Sequence, residues 1–244
     1  MSSNAISFSY RRLRLYTVTR TSKHTSDATS TNTSKNGPLA VPSALTLIPT
    51  LNKLLTYPFA TKIATKDWHP QTHISFASNH AAPANVPFES ETTIANPLNA
   101  DEKITTRLWP DHCVQNTLGA DLHPDLDVRL FDQIVNKGHD ERVEMYSAFA
   151  APFAHPVVAE SELDGLLKGK GITDVFVVGL ALDYCVFHTA CDAAKRGYRT
   201  WVVEDATGII DENGREGVMK GFEAAGAKVV ALDGKEVRKV QDLK

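Results

Sequence analysis

Three cysteines in 244 residues are too few for a disulfide framework, and a reducing compartment suits such a chain. Cys185 and Cys191, six apart, form neither a CxxC redox pair nor a zinc knuckle. No apolar run approaches the length of a membrane-spanning helix, so no membrane partner is expected. Neither sign of charge is in excess: a formal net charge of −3 gives no electrostatic reason to expect nucleic acid. Acidic residues are missing altogether before Asp27, where Arg11, Arg12, Arg14, Arg20 and Lys23 stand among serines and threonines. Low hydrophobicity of that kind predicts a disordered segment over residues 1–36, or a start assembled from the wrong exon. The acid-poor, Arg- and Ser-rich composition also reads as a mitochondrial transit peptide, a minority reading.

What is present is one chain's worth of globular texture, enough to bury a single substantial core. The central stretch runs from Ile172 to Thr207. Val175-Phe176-Val177-Val178 is an apolar run of strand length, buried on both faces by expectation. A turn then delivers Cys185 to the start of a helix that stops at Gly197, and Thr200 to Val203 form a second buried strand. Leu47, Ile48, Leu51, Leu54 and Leu55 make the stripe of an amphipathic helix, followed by a strand over 59–66. Pro83, Pro87 and Pro97 predict a long surface loop over 81–103, and 128–135 predicts another strand. Ser161 and Asp164 resemble a capping box before a helix ending at Gly169, with a helix over 217–225 and a last strand over 228–232. Alternating strands and helices place the chain in the α/β class, a single domain with a mainly parallel central sheet and helices on both faces.

A cysteine where a helix begins, above the carboxyl end of a parallel strand, meets free backbone N–H groups and the positive end of a helix dipole, which favour the thiolate. The alternative is a small buried thiol that only fills space. Asp67 and His69, two apart, project from one face of an extended segment, as two ligands of one cation would. A catalytic metal site asks for about three protein ligands, and His112 is the candidate third. Structural histidines in a turn are the competing explanation. His73 lies four beyond His69, a ligand spacing on a helix, but Pro70 argues against a helix there. Lys137, before Gly138 at an expected strand end, is either a solvated lysine or a cation that holds a nearby thiol as thiolate.

Four motifs in order resemble one family. They are ATKDWHPQTHISFASNH (64–80), LWPDHCVQNTLGADL (108–122), NKG followed by EMYSAF (136–149) and GLALDYCVFHTACDAAKRGY (179–198). Together with NGPLAVP at 36–42, they make the chain similar to the nicotinamidases of the isochorismatase-like cysteine hydrolase superfamily, in their fungal and yeast form. The resemblance implies a hydrolase domain over 37–244 with an isochorismatase-like, Rossmann-like three-layer fold. It implies Cys185 as nucleophile, Lys137 as the lysine of an Asp-Lys-Cys triad, and Asp67, His69 and His112 as ligands of zinc or a similar divalent ion. Leu180-Ala181 falls on the family's non-proline cis peptide, the N–H groups of Ala181 and Cys185 on its oxyanion hole, and Trp68, Tyr146 and Leu180 on its substrate pocket. The implied activity is hydrolysis of nicotinamide to nicotinic acid and ammonia in NAD salvage. The small molecule is the implied partner, with self-association left open, and the implied setting is the cytoplasm, with nucleus and peroxisome as alternatives.

The family opens with an apolar strand ending in the triad's Asp, and residues 1–36 contain no close match to it. The family spacing falls on Asp27, but Lys23-His24-Thr25-Ser26 before it cannot make a buried strand. Either Leu13 to Val18 substitutes as a poorer strand, or the fold loses a central element. On that ground the expected alternatives are an impaired enzyme or a ligand-binding member without catalysis; a hydrolase for another small amide is a further alternative, against which the Asp67, His69 and His112 set speaks.

Overall fold

Residues 13–18, 39, 41 and 44–243 are described in the structure, a computed structural model. In chain order the strands are β1 (Leu13–Val18), β2 (Thr61–Asp67), β3 (Glu91–Asn96), β4 (Asn99–Arg107), β5 (Gln133–Lys137), β6 (Asp174–Leu180), β7 (Arg199–Gly208) and β8 (Lys228–Val230). The α-helices are α1 (Ile48–Leu55), α2 (Leu163–Gly169), α3 (Phe187–Lys195), α4 (Arg215–Ala225) and α5 (Lys235–Gln241). Six strands form one sheet in the order β5-β2-β1-β6-β7-β8, and every neighbouring pair is parallel.

β6 sets the layers. Its residues are all buried, and alternation along the strand sends Val175 and Val177 to one face and Phe176 and Val178 to the other. On the first face they meet Leu163 and Leu167 of α2, Ala190 of α3 and Phe222 of α4. On the second they meet Leu51 and Leu54 of α1 and Val237 and Val240 of α5. Burial of such residues at roughly 25 cal/mol per Å² is what holds helices to both sides of the sheet.

The chain start takes part in this. Leu13–Val18 pairs with β2 on one side and β6 on the other, in the middle of the sheet. Residues 1–36 therefore do not stand wholly outside the domain, and of the two sequence-based alternatives the structure uses the substitute strand. Both flanking ladders are satisfied by its backbone, which is what parallel pairing asks of any residue type other than proline. Asp27 lies outside the described residues.

Two other expectations are corrected. The stretch 81–103 is not one long loop: β3 and β4 pair as an antiparallel hairpin, with Pro97 in the turn rather than breaking a strand. Its alternation is carried mainly by threonines, and Ile94 and Ile104 face the smaller third cluster with Val143, Met145 and Phe153. The strand expected at 128–135 begins only at Gln133, because Val128 and Leu130 lie exposed in a 3-10 turn. At α2 the Ser161 hydroxyl does accept the Leu163 N–H, but Asp164 pairs with Lys168 and Tyr198 instead of closing a capping box. No helix among the described residues is long and apolar enough to cross a membrane.

From β1 the chain moves outward through β2 and β5, then crosses back to β6 on the other side of β1. The strand order thus reverses beside β1. Crevices outside the carboxyl ends of strands at such a switch point are where α/β sheets bind ligands.

Candidate active site

β2 and β5 are in register at their ends, with Asp67 opposite Lys137. Register partners on adjacent strands point the same way, so two residues 70 apart in sequence form an ion pair at 2.5 Å. Both side chains are nearly inaccessible. The Lys137 ammonium has three donors and three neighbours: Asp67, the Met145 carbonyl at 2.7 Å and Cys185 Sγ at 3.6 Å. Burial pushes the lysine's pKa down, but Asp67, Cys185 and Glu144 outweigh it, and the net shift is upward. The ammonium is therefore fixed as a cation beside the sulfur.

Cys185 is delivered by β6. After Leu180 a cis peptide bond leads to Ala181, and a π-helical turn over Leu182–Val186 runs into α3. The Ala181 carbonyl accepts the N–H groups of Tyr184 at 3.1 Å and Val186 at 3.0 Å, which fixes the turn. Cys185 thus sits just before α3, buried, on the side of the sheet where Lys137 ends β5. The other two cysteines, Cys113 and Cys191, are buried and outside any disulfide.

Asp67, His69 and His112 lie together, each offering a ligand atom, all within 4.8 Å of one another and all buried. Backbone bonds hold the two loops side by side, His69 N–H to the Cys113 carbonyl at 3.0 Å and Gln115 N–H to the His69 carbonyl at 2.8 Å. His69 Nδ1 is 2.7 Å from the Gly138 carbonyl and His112 Nδ1 is 2.7 Å from the Pro110 carbonyl. A carbonyl can only accept, so both rings are Nδ1–H tautomers with the Nε2 lone pair left for a cation. Burial, with His73 and Lys137 nearby, holds the His69 pKa well below the usual range, so the ring is neutral as a ligand must be. Phe76 packs edge-on against both rings, at 5.7 Å from His69 and 5.2 Å from His112.

Sequence reasoning set His73 aside because Pro70 argues against a helix there. The structure brings it back with a turn: His73 N–H bonds the Pro70 carbonyl at 3.1 Å, and its ring lies 4.1 Å from that of His69. Glu144 opens the EMYSAF motif, but sequence reasoning gave it no role. It is buried, with Oε1 accepting the Met145 N–H at 2.9 Å and Oε2 without a hydrogen-bond partner. His73 Nε2 is likewise buried and unpartnered: the Val143 carbonyl is close enough to raise its pKa but outside hydrogen-bond geometry. Two orphaned polar atoms beside an N₂O donor set suit a hydrated divalent cation, because buried polar groups cost free energy unless something satisfies them.

Around this centre, the Tyr146 hydroxyl accepts the Trp109 Nε1–H at 2.8 Å and lies 2.9 Å from Thr106 Oγ1. Trp68 is partly exposed, with the Lys66 ammonium 4.2 Å above its ring.

Gly138 is the tightest backbone point of the site. Its φ is +69°, and a Cβ there would stand 2.5 Å from Cε1 of His69. Gly138→Ala is expected to displace the His69 ring and to lower metal affinity about 10–100-fold, the range for lost outer-shell support. Competition with a chromophoric chelator measures this. Gly165→Ala, in open space on α2, is the control and should leave affinity unchanged.

Known proteins resemble this chain in sequence and in fold. The sequence profile of the Isochorismatase domain matches residues 76–233. A nicotinamidase from Acinetobacter baylyi is 44% identical over 178 residues, covering 73% of this chain and 77% of the relative. The yeast nicotinamidase solved with the inhibitor nicotinaldehyde superposes with a TM-score of 0.77 at 30% identity, over 89% of this chain and 99% of that one. The pyrazinamidase of Pyrococcus horikoshii in complex with zinc superposes with a TM-score of 0.64 at 27% identity, over 89% of this chain and 98% of that one.

Proposed function

The chain belongs to the Isochorismatase domain family, and from that premise we propose that it is a nicotinamidase, hydrolysing nicotinamide to nicotinate and ammonia through a thioester on Cys185. One observation carries the assignment of the centre: a buried lysine ammonium touches both the Cys185 sulfur, at 3.6 Å, and a carboxylate of the Asp67/His69/His112 cluster, at 2.5 Å. Nucleophile and cation site thereby share one crevice.

In this reading the Lys137 ammonium favours the Cys185 thiolate, which attacks the carboxamide carbon. The N–H groups of Ala181 and Cys185 hold the oxyanion of the tetrahedral adduct, each such donor being worth roughly 3–4 kcal/mol. The C–N bond breaks, ammonia leaves after gaining a proton, and water cleaves the thioester to give the acid and free thiol. Asp27, assigned by spacing as the triad's acid–base, lies outside the described residues. Among the described residues, the buried carboxylates beside the ammonium are Asp67 and Glu144. Asp67, His69 and His112 would hold a divalent ion, zinc in this reading, and such an ion supplies a Lewis-acidic anchor for a pyridine nitrogen. Trp68, Tyr146 and Leu180 would line the pocket around the ring. The cytoplasm is the setting that NAD salvage implies.

A binding-only member was the alternative that rested on a missing first strand, and Leu13–Val18 supplies that strand. The test is direct. Ammonia release from nicotinamide is expected from the purified chain, to fall to background after dialysis against a strong chelator, and to return on adding zinc. Release that survives complete metal removal would overturn the cation's part, and no release from the metal-loaded chain would overturn the function.

A further inference from the structure

A second cleft lies behind the Tyr146 ring, between α3 and the segment 146–157, with a volume of about 460 Å³. None of Asp67, His69, His112, Lys137 and Cys185 lines it. Its floor is apolar, from Ala150, Ala151, Phe153 and Val157. Its rim is the last turns of α3, carrying Asp192, Lys195 and Arg196. The single carboxylate serves two cations, standing 3.8 Å from Lys195 Nζ and 3.8 Å from Arg196 Nη1, so the rim keeps a net positive charge. The Arg196 guanidinium lies 4.7 Å over the Phe149 ring, which holds it in place.

His188 completes the cleft from within. It is one helical turn before Asp192, and its ring stacks on Tyr146 at 5.2 Å with an interplanar angle of 23°. Neither ring nitrogen has a hydrogen-bond partner among the described residues. Burial pushes its pKa down to about 4; Asp192 pulls the other way, and Lys137 and Lys195 add to the lowering. At neutral pH the ring is therefore uncharged, with one N–H to donate to a ligand or to solvent. An apolar lining, a cationic rim and an imidazole N–H are complementary to a small aromatic anion.

We propose that this cleft is a second binding site, for a small aromatic carboxylate whose ring lies on the apolar floor and whose anion meets Lys195, Arg196 and the His188 N–H. The size fits, since small-ligand sites occupy about 300–1,000 Å³ and one aromatic acid fills only part of such a space. The product of the reaction proposed above is an acid of this class, and only the naming of that product as the occupant rests on the nicotinamidase reading. The cleft adjoins the catalytic crevice at Tyr146, whose ring packs on His188 and, at 5.3 Å between ring centres, on Tyr184 next to Cys185.

Benzoate is the probe, because it lacks the ring nitrogen that the cation site would bind. Isothermal titration of the metal-loaded full chain with benzoate is expected to give one equivalent bound, both alone and with nicotinaldehyde present in excess to fill the catalytic crevice. In the Lys195→Gln/Arg196→Gln variant affinity should fall at least tenfold, while kcat/KM for nicotinamide stays within twofold of the parent. His188→Phe, which keeps the stacked ring and removes the N–H, should also weaken benzoate. Absent binding, binding unchanged in the charge-removed variant, or full displacement by nicotinaldehyde would each overturn the proposal. Nicotinaldehyde that fails to bind condemns the nicotinamidase reading alone and leaves the benzoate titration interpretable. Repeating the titration with nicotinate under nicotinaldehyde identifies the source: uptake assigns the cleft to the product, and benzoate uptake alone assigns it to another aromatic acid.

Discussion

Cys185→Ala is expected to lower ammonia release from nicotinamide roughly 10⁴–10⁶-fold, the scale seen when the nucleophile of a concerted catalytic set is removed. The effect on the fold should be small. The residue is buried, and alanine removes one sulfur from a site where the neighbouring ammonium keeps its bonds to Asp67 and to the Met145 carbonyl. Metal affinity should likewise persist, because the thiol is not among the clustered ligands. The chemical readout is the intermediate: acid quenching during turnover should place an acyl adduct on the Cys185 peptide of the parent, and none on the alanine variant. A Cys185→Ala chain that releases ammonia at the parent rate would remove the sulfur from the mechanism. Cys191 offers no substitute, since burial raises its pKa to about 11, and the sulfur that the Lys137 ammonium meets is that of Cys185.

Much of the fold was legible because its signals are local. The run Val175 to Val178 is a buried strand for the reason its composition suggests, and the Leu47 to Leu55 stripe is α1 with its preceding turn. The β3–β4 hairpin was not legible, because threonines conceal the period of two and only Ile94 and Ile104 mark an inward face. The start of β5 was misjudged because Val128 and Leu130 are apolar yet exposed, and periodicity alone cannot tell such residues from a strand's core face. Within the site, the Asp67–Lys137 pair depends on strand order and register, which no local pattern encodes. Family resemblance nominated both residues without saying that they touch. His73 was lost through one assumption, that residues four apart meet only on a helix, when a turn at Pro70 brings the rings to 4.1 Å. Glu144, though inside a quoted motif, was given no role because its significance lies in burial without a hydrogen-bond partner for Oε2, a property only the folded chain has.

Lys137→Met is expected to fail twice, in stability and in catalysis, and the two failures can be separated. Methionine approximates the volume of the lysine stem, so packing is nearly kept, but Asp67 is left as a buried carboxylate without its cation. Breaking one partner of such a pair costs about 3–5 kcal/mol, because the remaining charge stays out of water. For a chain of this size that corresponds to a fall in Tm of roughly 6–20 °C. The loss should be larger in metal-free protein, since a cation bound by Asp67, His69 and His112 would neutralise the same carboxylate and stabilise the folded state by mass action. Replacing both partners removes the stranded charge, so Lys137→Met/Asp67→Leu should recover most of the lost Tm without metal. It should recover no turnover, because the ammonium beside the sulfur and one cation ligand are both gone. Calorimetry of the single and double variants, with and without zinc, reads the structural part, and ammonia release reads the chemical part. A Lys137→Met chain that melts with the parent, or a double variant as unstable as the single one, would show that the buried pair is not what ties β2 to β5 at the site.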